Sequence, residues 1–293
     1  MGICSDRSII ITGAGAGLGR AYALALAAEG AGVVVNDIKA DAAEAVVGEI
    51  RKAGGRAIVS ADDITTMDGA ARIVQAAVDA FGDVHGVVNN AGIVRDRMFA
   101  SMTEEDWDLV IKVHLKGHFC IASHLVRRWR DQSKAGQTVD ARIINTSSGA
   151  GLQGSVGQSN YAAAKGGIAT LTLVQAAELR RYGITVNALA PAARTGMTEP
   201  VFGAMMKKPD DPLAFDHYAP ENVAPLVVWL CSPLSAHVTG RVFEVEGGKV
   251  SIATGWRTGP VRDKGARWQP AELTDVIDAL IKEAPPAQKV YGT

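Results

Sequence analysis

The segment Thr12-Gly13-Ala14-Gly15-Ala16-Gly17-Leu18-Gly19 directly follows the apolar run Ser8-Ile9-Ile10-Ile11, and an alanine- and leucine-rich segment comes next. This order predicts a buried strand, a glycine turn and a helix. In such a unit Gly13 permits the tight turn, Gly17 lets the backbone approach a pyrophosphate, and Gly19 lets the helix pack close to the strand. The N-terminus of the helix then offers free N–H groups to phosphates. We therefore expect a dinucleotide site here; a flexible turn with a helix cap is the alternative.

The second apolar run, Val33-Val34-Val35-Asn36-Asp37, predicts a strand that ends in a carboxylate. An acid at this distance from the glycine turn accepts hydrogen bonds from the adenosine ribose hydroxyls and repels a 2′-phosphate. No Arg follows Asp37 directly, and Ala16 is not basic. The sequence therefore predicts NAD rather than NADP as cofactor. Asp37 is also placed to cap a helix that begins near Ala40, and the two roles do not exclude each other.

Further strands alternate with helices along the chain. Asp63 and Ile64 come just beyond the strand 56–60 and are expected beside the adenine, although Asp-Ile-Thr is equally a helix-cap sequence. The strand 84–88 leads into Asn89-Asn90-Ala91-Gly92, whose small residues let a cofactor lie against the backbone. Later strands are expected at 143–146, 184–189 and 242–245. The alternation predicts an α/β fold with a single Rossmann-type, doubly wound parallel sheet flanked by helices.

Ser148, Tyr161 and Lys165 form the candidate catalytic group. Ser148 follows the β-branched run 143–146, so it is expected at the carboxyl end of a buried strand, where open α/β sheets bind ligands. Tyr161 and Lys165 stand one helical turn apart, so both side chains leave the helix on one face. A lysine cation beside a phenol favours the phenolate, which makes the tyrosine a usable acid or base. Taken alone the pair could be a solvated surface pair, but the nucleotide fingerprint favours an active site.

Composition excludes several classes of function. The chain has 293 residues, 47% of them hydrophobic, and a formal net charge of −1, so it offers no basic surface for nucleic acid. Cys4, Cys120 and Cys231 are odd in number and scattered, which favours a reducing compartment over a disulfide framework. The sequence shows neither a signal-peptide core nor an apolar stretch near the roughly 20 residues of a membrane span. We expect a cytoplasmic protein that has no metal site and no membrane segment.

Residues 1–250 are expected to form the catalytic and NAD-binding domain. Within it, the segment 196–218 lacks a clear period and carries several prolines, which is typical of a substrate lid. Residues 251–293 form an extension with one helix, 271–283, which is expected to pack on the body or on a second subunit. The apolar positions of that helix are Leu273, Val276, Ile277, Leu280 and Ile281.

Taken together, these motifs resemble the short-chain dehydrogenase/reductase family. The resemblance covers about residues 8–250 and rests on the glycine turn, on Asn89-Asn90-Ala91-Gly92, on Ser148 and on Tyr161-x-x-x-Lys165. It implies that Tyr161 is the acid/base, that Lys165 lowers its pKa and holds the nicotinamide ribose, and that Ser148 orients the substrate oxygen. It also implies a homodimer or homotetramer. The expected cofactor-binding residues are Gly13, Gly17, Leu18, Gly19, Asp37, Asp63, Ile64, Asn90, Ala91, Gly92, Tyr161, Lys165, Pro191 and Thr195.

A closer similarity is to the (3R)-hydroxyacyl-CoA dehydrogenase branch of that family, which includes one unit of the peroxisomal multifunctional β-oxidation enzyme. It rests on the glycine turn and on the segments 33–37, 95–97, 113–115 and 223–227. The branch is NAD-linked, in agreement with the independent interpretation of Asp37. His114 stands where most members of the family carry an Asn that helps a water-mediated proton relay reach the lysine. Ala192 stands where a Gly usually follows Pro191. A catalytic role for His114 is left open, because by itself it is an inward-facing core histidine.

The expected reaction interconverts a secondary alcohol and a ketone, with a (3R)-3-hydroxyacyl-CoA as the substrate. Tyr161 takes the hydroxyl proton while a hydride leaves for the nicotinamide. The alternatives change only the substrate: a hydroxysteroid, a steroid-derived acyl-CoA, or an acyl-carrier-protein thioester. The last usually goes with NADPH, which Asp37 disfavours. The rival from another class is a protein that binds NAD without turnover, and the intact catalytic group disfavours it.

Overall fold

The first apolar run forms strand β1 (Ser8–Thr12), in which every residue is buried. The structure, a computed structural model, describes residues 2–199, 203–286 and 288–293. The further strands of its single sheet are β2 (Gly32–Asn36), β3 (Arg56–Ser60), β4 (Gly86–Asn89), β5 (Ala141–Thr146), β6 (Ile184–Ala192), β7 (Val242–Glu246) and β8 (Lys249–Ile252). Their spatial order is β3-β2-β1-β4-β5-β6-β7-β8, and the neighbours from β3 to β7 run parallel. The predicted doubly wound α/β fold is confirmed.

Helices connect the parallel strands and cover both faces of the sheet. The α-helices of the described chain are α1 (Gly17–Ala28), α2 (Ala40–Lys52), α3 (Met67–Phe81), α4 (Glu104–Ile111), α5 (Gly117–Lys134), α6 (Gly149–Gln153), α7 (Ser159–Leu179), α8 (Ala224–Cys231) and α9 (Leu273–Glu283). Over the described residues, none of them combines the length and the apolar character that crossing a lipid bilayer requires.

Two hydrophobic cores lie on opposite faces of the sheet. On one face α1, α2 and α8 contribute buried residues such as Tyr22, Val46 and Val227. On the other face α3, α5 and α7 contribute residues such as Ile73 and Leu125. Because the central strands are buried on both sides, they are continuous apolar runs rather than alternating ones. This is why the sequence pattern identifies them.

The sheet has one strand that the sequence analysis does not predict. Strand β8 pairs antiparallel with β7, from Glu246 and Lys249 to Phe243 and Ile252. The turn between them includes Gly247, whose φ is +54°. All residues of β8 are exposed, so the strand lacks the apolar run that marks the others. The sheet is therefore parallel except at this edge, and the expected domain boundary at residue 250 falls inside the hairpin.

The sequence after Thr103 predicts one helix with a continuous inward face, because apolar residues and histidines recur there at helical spacing: Trp107, Val110, Ile111, His114, Leu115 and His118. In the structure this helix is interrupted by a π-helical turn at Lys112–Lys116, between α4 and α5. Such a turn adds a residue to the helical repeat and changes which side chains face the core. His114 and His118 are fully buried, whereas Trp107 is 38% exposed. The inward orientation of His114 is confirmed, but the prediction of one continuous inward face is wrong because the π turn shifts its phase.

The expected lid and extension contain little regular structure near the sheet. Residues 203–218 form turns and bends, and residues 200–202 of the expected lid lie outside the described residues. In the extension, α9 begins two residues later than predicted because a 3₁₀ turn (Pro270–Glu272) precedes it. In the described chain its apolar face is not packed on the body, since Ile277 is 47% and Ile281 is 68% exposed. Contact of this face with a second subunit stays a prediction.

Candidate active site

The glycine turn between β1 and α1 brings bare backbone to the carboxyl edge of the sheet. Gly13 and Gly17 have φ angles of +62° and +52°, which residues with side chains rarely adopt. A Cβ atom at Gly13 would lie 2.7 Å from Ala91 Cα, and one at Gly19 would lie 2.1 Å from the Gly13 carbonyl oxygen. Leu18 is partly buried against the core behind the turn. The close packing therefore requires glycine at these positions.

Two expected cofactor residues reach the site from β6 and the segment after it. Thr195 Cγ2 lies 3.3 Å from the position that a Cβ atom at Gly17 would take. Pro191 lines a cavity beside the candidate catalytic group, and so does Ala192, which replaces the usual glycine of the family. The end of β6 thus connects the glycine turn to that cavity.

Thr12 and Asn90 join the glycine turn to the loop that follows β4. Asn90 Nδ2 donates to the carbonyl oxygens of Thr12 and Gly13 at 3.0 and 3.1 Å. The Thr12 hydroxyl oxygen accepts from the backbone N–H groups of Asn90 and Ala91 at 3.0 and 3.1 Å. These bonds hold the two loops together. Asn90 therefore fixes the backbone of the glycine turn at the expected cofactor site.

A cavity of about 290 Å³, here called the Asp37 cavity, opens at this edge of the sheet. Asp37 Oδ2 accepts a hydrogen bond from the Gly15 N–H at 3.0 Å, and Asp37 Oδ1 accepts one from the Lys39 N–H at 3.0 Å. The carboxylate is therefore held in one orientation beside the turn. The expected cofactor residues that line this cavity are Gly13, Asp37, Asp63, Ile64, Ala91 and Gly92.

Carboxylates predominate among the charged groups of the Asp37 cavity, which are Asp37, Asp62, Asp63 and Lys112. Burial acts to raise the pKa of Asp63, but hydrogen bonds from the backbone and hydroxyl of Thr65 hold that pKa below its ordinary value. The lining is therefore net negative, which disfavours an additional phosphate beside Asp37. In the part of the chain that the structure describes, no three His, Cys, Asp or Glu side chains converge as a metal site.

The ends of β5 and α7 bring the candidate catalytic group together. Ser148 lies just beyond β5 and caps α6, since its Oγ accepts from the Ala150 N–H at 3.2 Å. The same side chain acts to lower the pKa of the Tyr161 phenol, and both residues line one cavity. The Ser148 hydroxyl and the Tyr161 phenol therefore lie close together at the edge of the sheet.

Lys165 lies beneath this pair and is almost completely buried. Its Nζ donates to the Thr146 carbonyl oxygen at 2.7 Å and lies 5.5 Å from the centroid of the Tyr161 ring. The Ser147 hydroxyl donates to the Lys165 carbonyl oxygen at 2.8 Å. A Cβ atom at Gly151 would lie only 2.5 Å from the Lys165 carbonyl carbon. The contacts between β5, α6 and α7 thus fix the backbone that carries the lysine.

Burial dominates the electrostatics of this pair. Burial raises the pKa of the Tyr161 phenol above its ordinary value, while the Ser148 hydroxyl acts in the opposite direction. Burial also lowers the pKa of Lys165 to about 7. That Lys165 lowers the pKa of Tyr161 stays a prediction, because burial dominates the pKa of the phenol here. Both groups are desolvated, and desolvation favours the neutral form of each.

Asn160, which the sequence analysis does not single out, orients the start of α7. Its Nδ2 donates to the carbonyl oxygens of Arg95 and Asp106, both at 3.1 Å, and its Oδ1 accepts from the Tyr161 N–H at 2.7 Å. This buried amide side chain therefore connects the loop after β4 and helix α4 to the backbone of Tyr161. The available signal was an Asn in the first turn of a helix, where its side chain can satisfy a free backbone N–H.

His114 packs under the loop after β4 and against Tyr161. Its Nε2 lies 3.0 Å from the Ile93 backbone nitrogen and 2.7 Å from the Ile93 carbonyl oxygen. A Cβ atom at Gly92 would lie 2.3 Å from His114 Cε1. Burial lowers the pKa of His114 to about 3, so the ring is neutral at physiological pH. A neutral ring cannot serve as a cationic acid, although it can position its neighbours.

A cavity of about 390 Å³, here called the substrate cavity, lies beside Ser148 and Tyr161. Apolar walls come from the loop after β4, from the expected lid and from β7. The residues concerned include Val94, Met197, Met205, Met206 and Val245. Unbranched methionines adapt to irregular shapes. The cavity therefore suits an apolar group next to the candidate catalytic tyrosine.

Arg194 fastens the lid to the end of β6. Its guanidinium pairs with Asp216 and donates to the Met206 carbonyl oxygen at 2.8 Å, and its backbone N–H donates to the Tyr218 carbonyl oxygen at 2.7 Å. Met206 and Tyr218 both line the substrate cavity. The lid is thus positioned by the residue next to Thr195.

Tyr291, from the extension, also lines the substrate cavity. The sequence analysis does not predict this, because the residue lies far along the chain from every motif. No local pattern around it indicates a site.

Comparisons with known proteins agree with this arrangement. A family model described as short chain dehydrogenase matches residues 7–204. Hydroxyacyl-CoA dehydrogenase ChsB1 of Mycobacterium tuberculosis is 44% identical, with 99% of this chain and 93% of that protein covered. Mouse peroxisomal multifunctional enzyme type 2 is 43% identical over 83% of this chain, which corresponds to 32% of that enzyme. A solved short chain dehydrogenase from Mycobacterium avium is 58% identical over the full length of both chains, with a TM-score of 0.92.

The family match covers more than half of the chain and includes the glycine turn and the Ser148–Lys165 region. The solved relative shares the fold along the whole chain. The resemblance inferred from the motifs is therefore confirmed. This chain is an oxidoreductase of the short-chain dehydrogenase/reductase family.

Proposed function

We propose that the chain is an NAD-dependent dehydrogenase that interconverts (3R)-3-hydroxyacyl-CoA and 3-oxoacyl-CoA, with Tyr161 as the general acid/base. The observation that carries this proposal is the position of the Tyr161 phenol. It lies beside the buried Lys165 and lines the substrate cavity together with Ser148. Tyr161 as proton acceptor and Ser148 as the hydroxyl that orients the substrate oxygen thus line the same cavity, as alcohol oxidation requires.

The glycine turn and the Asp37 cavity fit NAD. Gly13 lies too close to the backbone of Ala91 for a side chain, Gly17 has a φ of +52° that favours glycine, and the N-terminus of α1 is suited to a pyrophosphate. Asp37 is held by two backbone N–H groups in a position to accept hydrogen bonds from ribose hydroxyls, and it would repel a 2′-phosphate. When bound, the oxidised nicotinamide supplies a hydride acceptor and a positive charge.

The catalytic side chains divide the remaining work. Tyr161 takes the proton of the substrate hydroxyl in the oxidative direction and returns it in the reductive direction. Ser148 holds the substrate oxygen through its hydroxyl. A phenolate at Tyr161 favours the protonated form of Lys165, so the two groups titrate as a coupled pair. The Thr146 carbonyl oxygen, 2.7 Å from Lys165 Nζ, accepts a hydrogen bond from this cation.

The substrate class is supported by the substrate cavity and by the relatives. Apolar walls beside Tyr161 suit the hydrocarbon part of an acyl chain. The two curated relatives described above are named as a hydroxyacyl-CoA dehydrogenase and a peroxisomal multifunctional enzyme. A cyanobacterial 3-oxoacyl-[acyl-carrier-protein] reductase is also 41% identical, over 82% of this chain. The carboxylate of Asp37 favours the NAD-linked dehydrogenase over an NADPH-linked reductase.

Purified protein can be mixed with NAD and with the separate 3R and 3S isomers of a 3-hydroxyacyl-CoA, and NADH formation followed by absorbance. We expect turnover of the 3R isomer and a higher kcat/KM with NAD than with NADP. Hydroxysteroids with NAD, and a 3-oxoacyl-acyl-carrier protein with NADPH, serve as the competing substrates. The proposal fails if every hydroxyacyl-CoA is inert while one of these is turned over.

Tyr161→Phe is the matched control, because it removes only the phenolic oxygen. Loss of a general base lowers kcat by about 10²–10⁴-fold. NADH binding, measured by nucleotide fluorescence, should be retained, which separates lost chemistry from lost folding. A variant with normal turnover would exclude Tyr161 as the acid/base.

We also propose a homodimer or homotetramer. Apolar side chains are exposed on two helices that cover the same face of the sheet, with Phe119 of α5 at 51%, and Leu173 and Val174 of α7 at 50% and 48%. Exposed apolar surface of this kind is suited to an interface between subunits. Light scattering after gel filtration would contradict this proposal if the chain ran as a monomer at micromolar concentration.

A cytoplasmic location is proposed from the cysteines. Cys4, Cys120 and Cys231 are buried free thiols, which suits a reducing compartment. Fractionation of cells that express the chain would test this location.

A further inference from the structure

The segment 288–293 of the extension lies at the catalytic edge of the sheet. The Val156 N–H donates to the Tyr291 carbonyl oxygen at 2.9 Å, and the Tyr291 N–H donates to the Gly154 carbonyl oxygen at 3.2 Å. These bonds form a parallel β-bridge between Tyr291 and Ser155. The backbone of Tyr291 is therefore fixed against the loop that follows α6.

Side chains on both sides of Tyr291 add to this contact. Gln288 Nε2 donates to Gln153 Oε1 at 2.7 Å. A Cβ atom at Gly154 would lie 3.3 Å from Val290 Cγ1, so the Val290 side chain packs near the backbone of Gly154. The segment 288–293 is thus attached at several points along the same loop.

The ring of Tyr291 lies directly against the residue next to the catalytic serine. A Cβ atom at Gly149 would lie 2.6 Å from Tyr291 Oη and 2.9 Å from Tyr291 Cε2. Tyr291 lines the same cavity as Ser148 and Tyr161 and is 45% exposed. One edge of the ring therefore faces the substrate cavity at its catalytic end.

We propose that Tyr291 is a specificity-determining residue, whose ring limits the bulk of the substrate group that fits beside Ser148. The inference rests on the proposed function, because it takes the substrate cavity to hold the alcohol or ketone. The methionines of the lid can adapt to a ligand, since their side chains are flexible. The ring of Tyr291 is stiff and its backbone is hydrogen-bonded on both sides, so a bulkier group must displace the whole segment. The wall of the substrate cavity formed by the lid therefore adapts to the substrate, whereas the wall formed by Tyr291 excludes substrate groups that are too large.

The kinetic test compares two 3-hydroxyacyl-CoA substrates, one with a short straight chain and one with a ring attached next to the carbinol carbon. Tyr291→Ala should raise the ratio of kcat/KM for the bulky over the straight substrate by about tenfold or more, the discrimination that one apolar pocket contact provides. Tyr291→Phe keeps the ring and should keep the wild-type ratio. Gln288→Ala is the matched control, because it changes the same segment at a side chain outside the cavity lining; it too should keep the ratio.

An unchanged ratio in Tyr291→Ala would overturn the inference, and so would the same change in Gln288→Ala. A Tyr291→Phe variant that behaved like Tyr291→Ala would show that the hydroxyl, and not the ring, selects the substrate. Failure of the proposed function is distinguishable, because the wild-type chain would then turn over neither substrate.

A second measurement does not depend on turnover. Hydrogen exchange of the Val156 amide should be slow in the wild-type chain and faster in Tyr291→Ala, because its acceptor is the Tyr291 carbonyl oxygen and the ring helps to hold that segment. Fast exchange of this amide in the wild-type chain would show that the segment is not docked, and the inference would be rejected on that ground alone.

Discussion

The ring of His114 stands edge-on to the ring of Tyr161, with 5.2 Å between their centroids and 89° between their planes. The same imidazole contacts the backbone of Ile93 and Gly92 in the loop after β4. One buried side chain therefore touches both the candidate cofactor loop and the candidate acid/base. We infer from these contacts that His114 positions Tyr161 and the candidate cofactor loop.

Replacing His114 by Ala should affect both stability and turnover. Removing a buried ring of this size lowers the free energy of unfolding by about 2–5 kcal/mol, and we expect kcat to fall because Tyr161 loses its lateral support. His114→Asn, which keeps a polar side chain, should lose less of both. Urea denaturation and steady-state kinetics measure the two effects. A His114→Ala variant with wild-type kcat would refute the positioning role.

The pH dependence of stability should also report on His114. Its pKa is about 3 in the folded chain, against an ordinary value of 6.5, so between these values the unfolded chain binds a proton that the folded chain does not. The free energy of unfolding should therefore fall as the pH drops from about 6.5 to about 3. The fall should be shallower in His114→Asn, while buried His118 continues to contribute in both chains. Identical slopes in the two chains would contradict this assignment.

Ser148→Ala should shift the pH profile of alcohol oxidation. The Ser148 hydroxyl lowers the pKa of Tyr161 against the effect of burial. A hydrogen bond to a charged group contributes about 1.5–3 kcal/mol, so its loss should move the rising limb of kcat/KM upwards by about one to two pH units. The profile is measured with NAD at saturation. If the rising limb of kcat/KM stayed at the wild-type pH, Ser148 would not control the pKa of the Tyr161 phenol.

Asp37 should determine the choice of nucleotide. Asp37→Ala removes hydrogen bonds of a charged acceptor, so we expect the Kd for NAD to rise by about 10–100-fold, while NADP loses a source of repulsion. Asp37→Asn keeps an acceptor for the Gly15 N–H but removes the charge, which separates the two effects. Fluorescence titrations with NADH and NADPH measure both. A preference for NADPH in the wild-type chain would refute this role for Asp37.

Gly92 and Gly48 offer a matched pair of substitutions. A Cβ atom at Gly92 would lie 2.3 Å from His114 Cε1, whereas one at Gly48 meets nothing within 4 Å. Gly92→Ala should therefore lower the free energy of unfolding by about 1–3 kcal/mol and reduce turnover. Gly48→Ala, inside helix α2, should raise the free energy of unfolding by about 0.4–1 kcal/mol and leave turnover unchanged. Thermal and urea denaturation measure the free energy of unfolding of both variants. Equal changes in the two would show that His114 moves aside at little cost.

Local patterns were sufficient for the fold and for the candidate catalytic group. Continuous apolar runs identify the central strands, because these strands are buried on both faces and need no polar alternation. Glycines at fixed spacing identify the turn, because contacts with Gly13, Gly19 and Ala91 exclude a Cβ atom there. Strand β8 was missed because its residues are exposed, and the phase of the helix around His114 was missed because a π turn leaves no periodic signal.

The sequence by itself determined which chemical groups are present and that a doubly wound sheet carries Ser148, Tyr161 and Lys165 to one edge, since the alternation of strands and helices along the chain and the helical spacing are local properties. Only the tertiary structure decided what surrounds them. The pKa of Lys165 depends on burial by several elements, and the place of Tyr291 beside Gly149 depends on two segments far apart in the chain. Burial and long-range proximity arise only once the chain has folded, which is why no local pattern could indicate them.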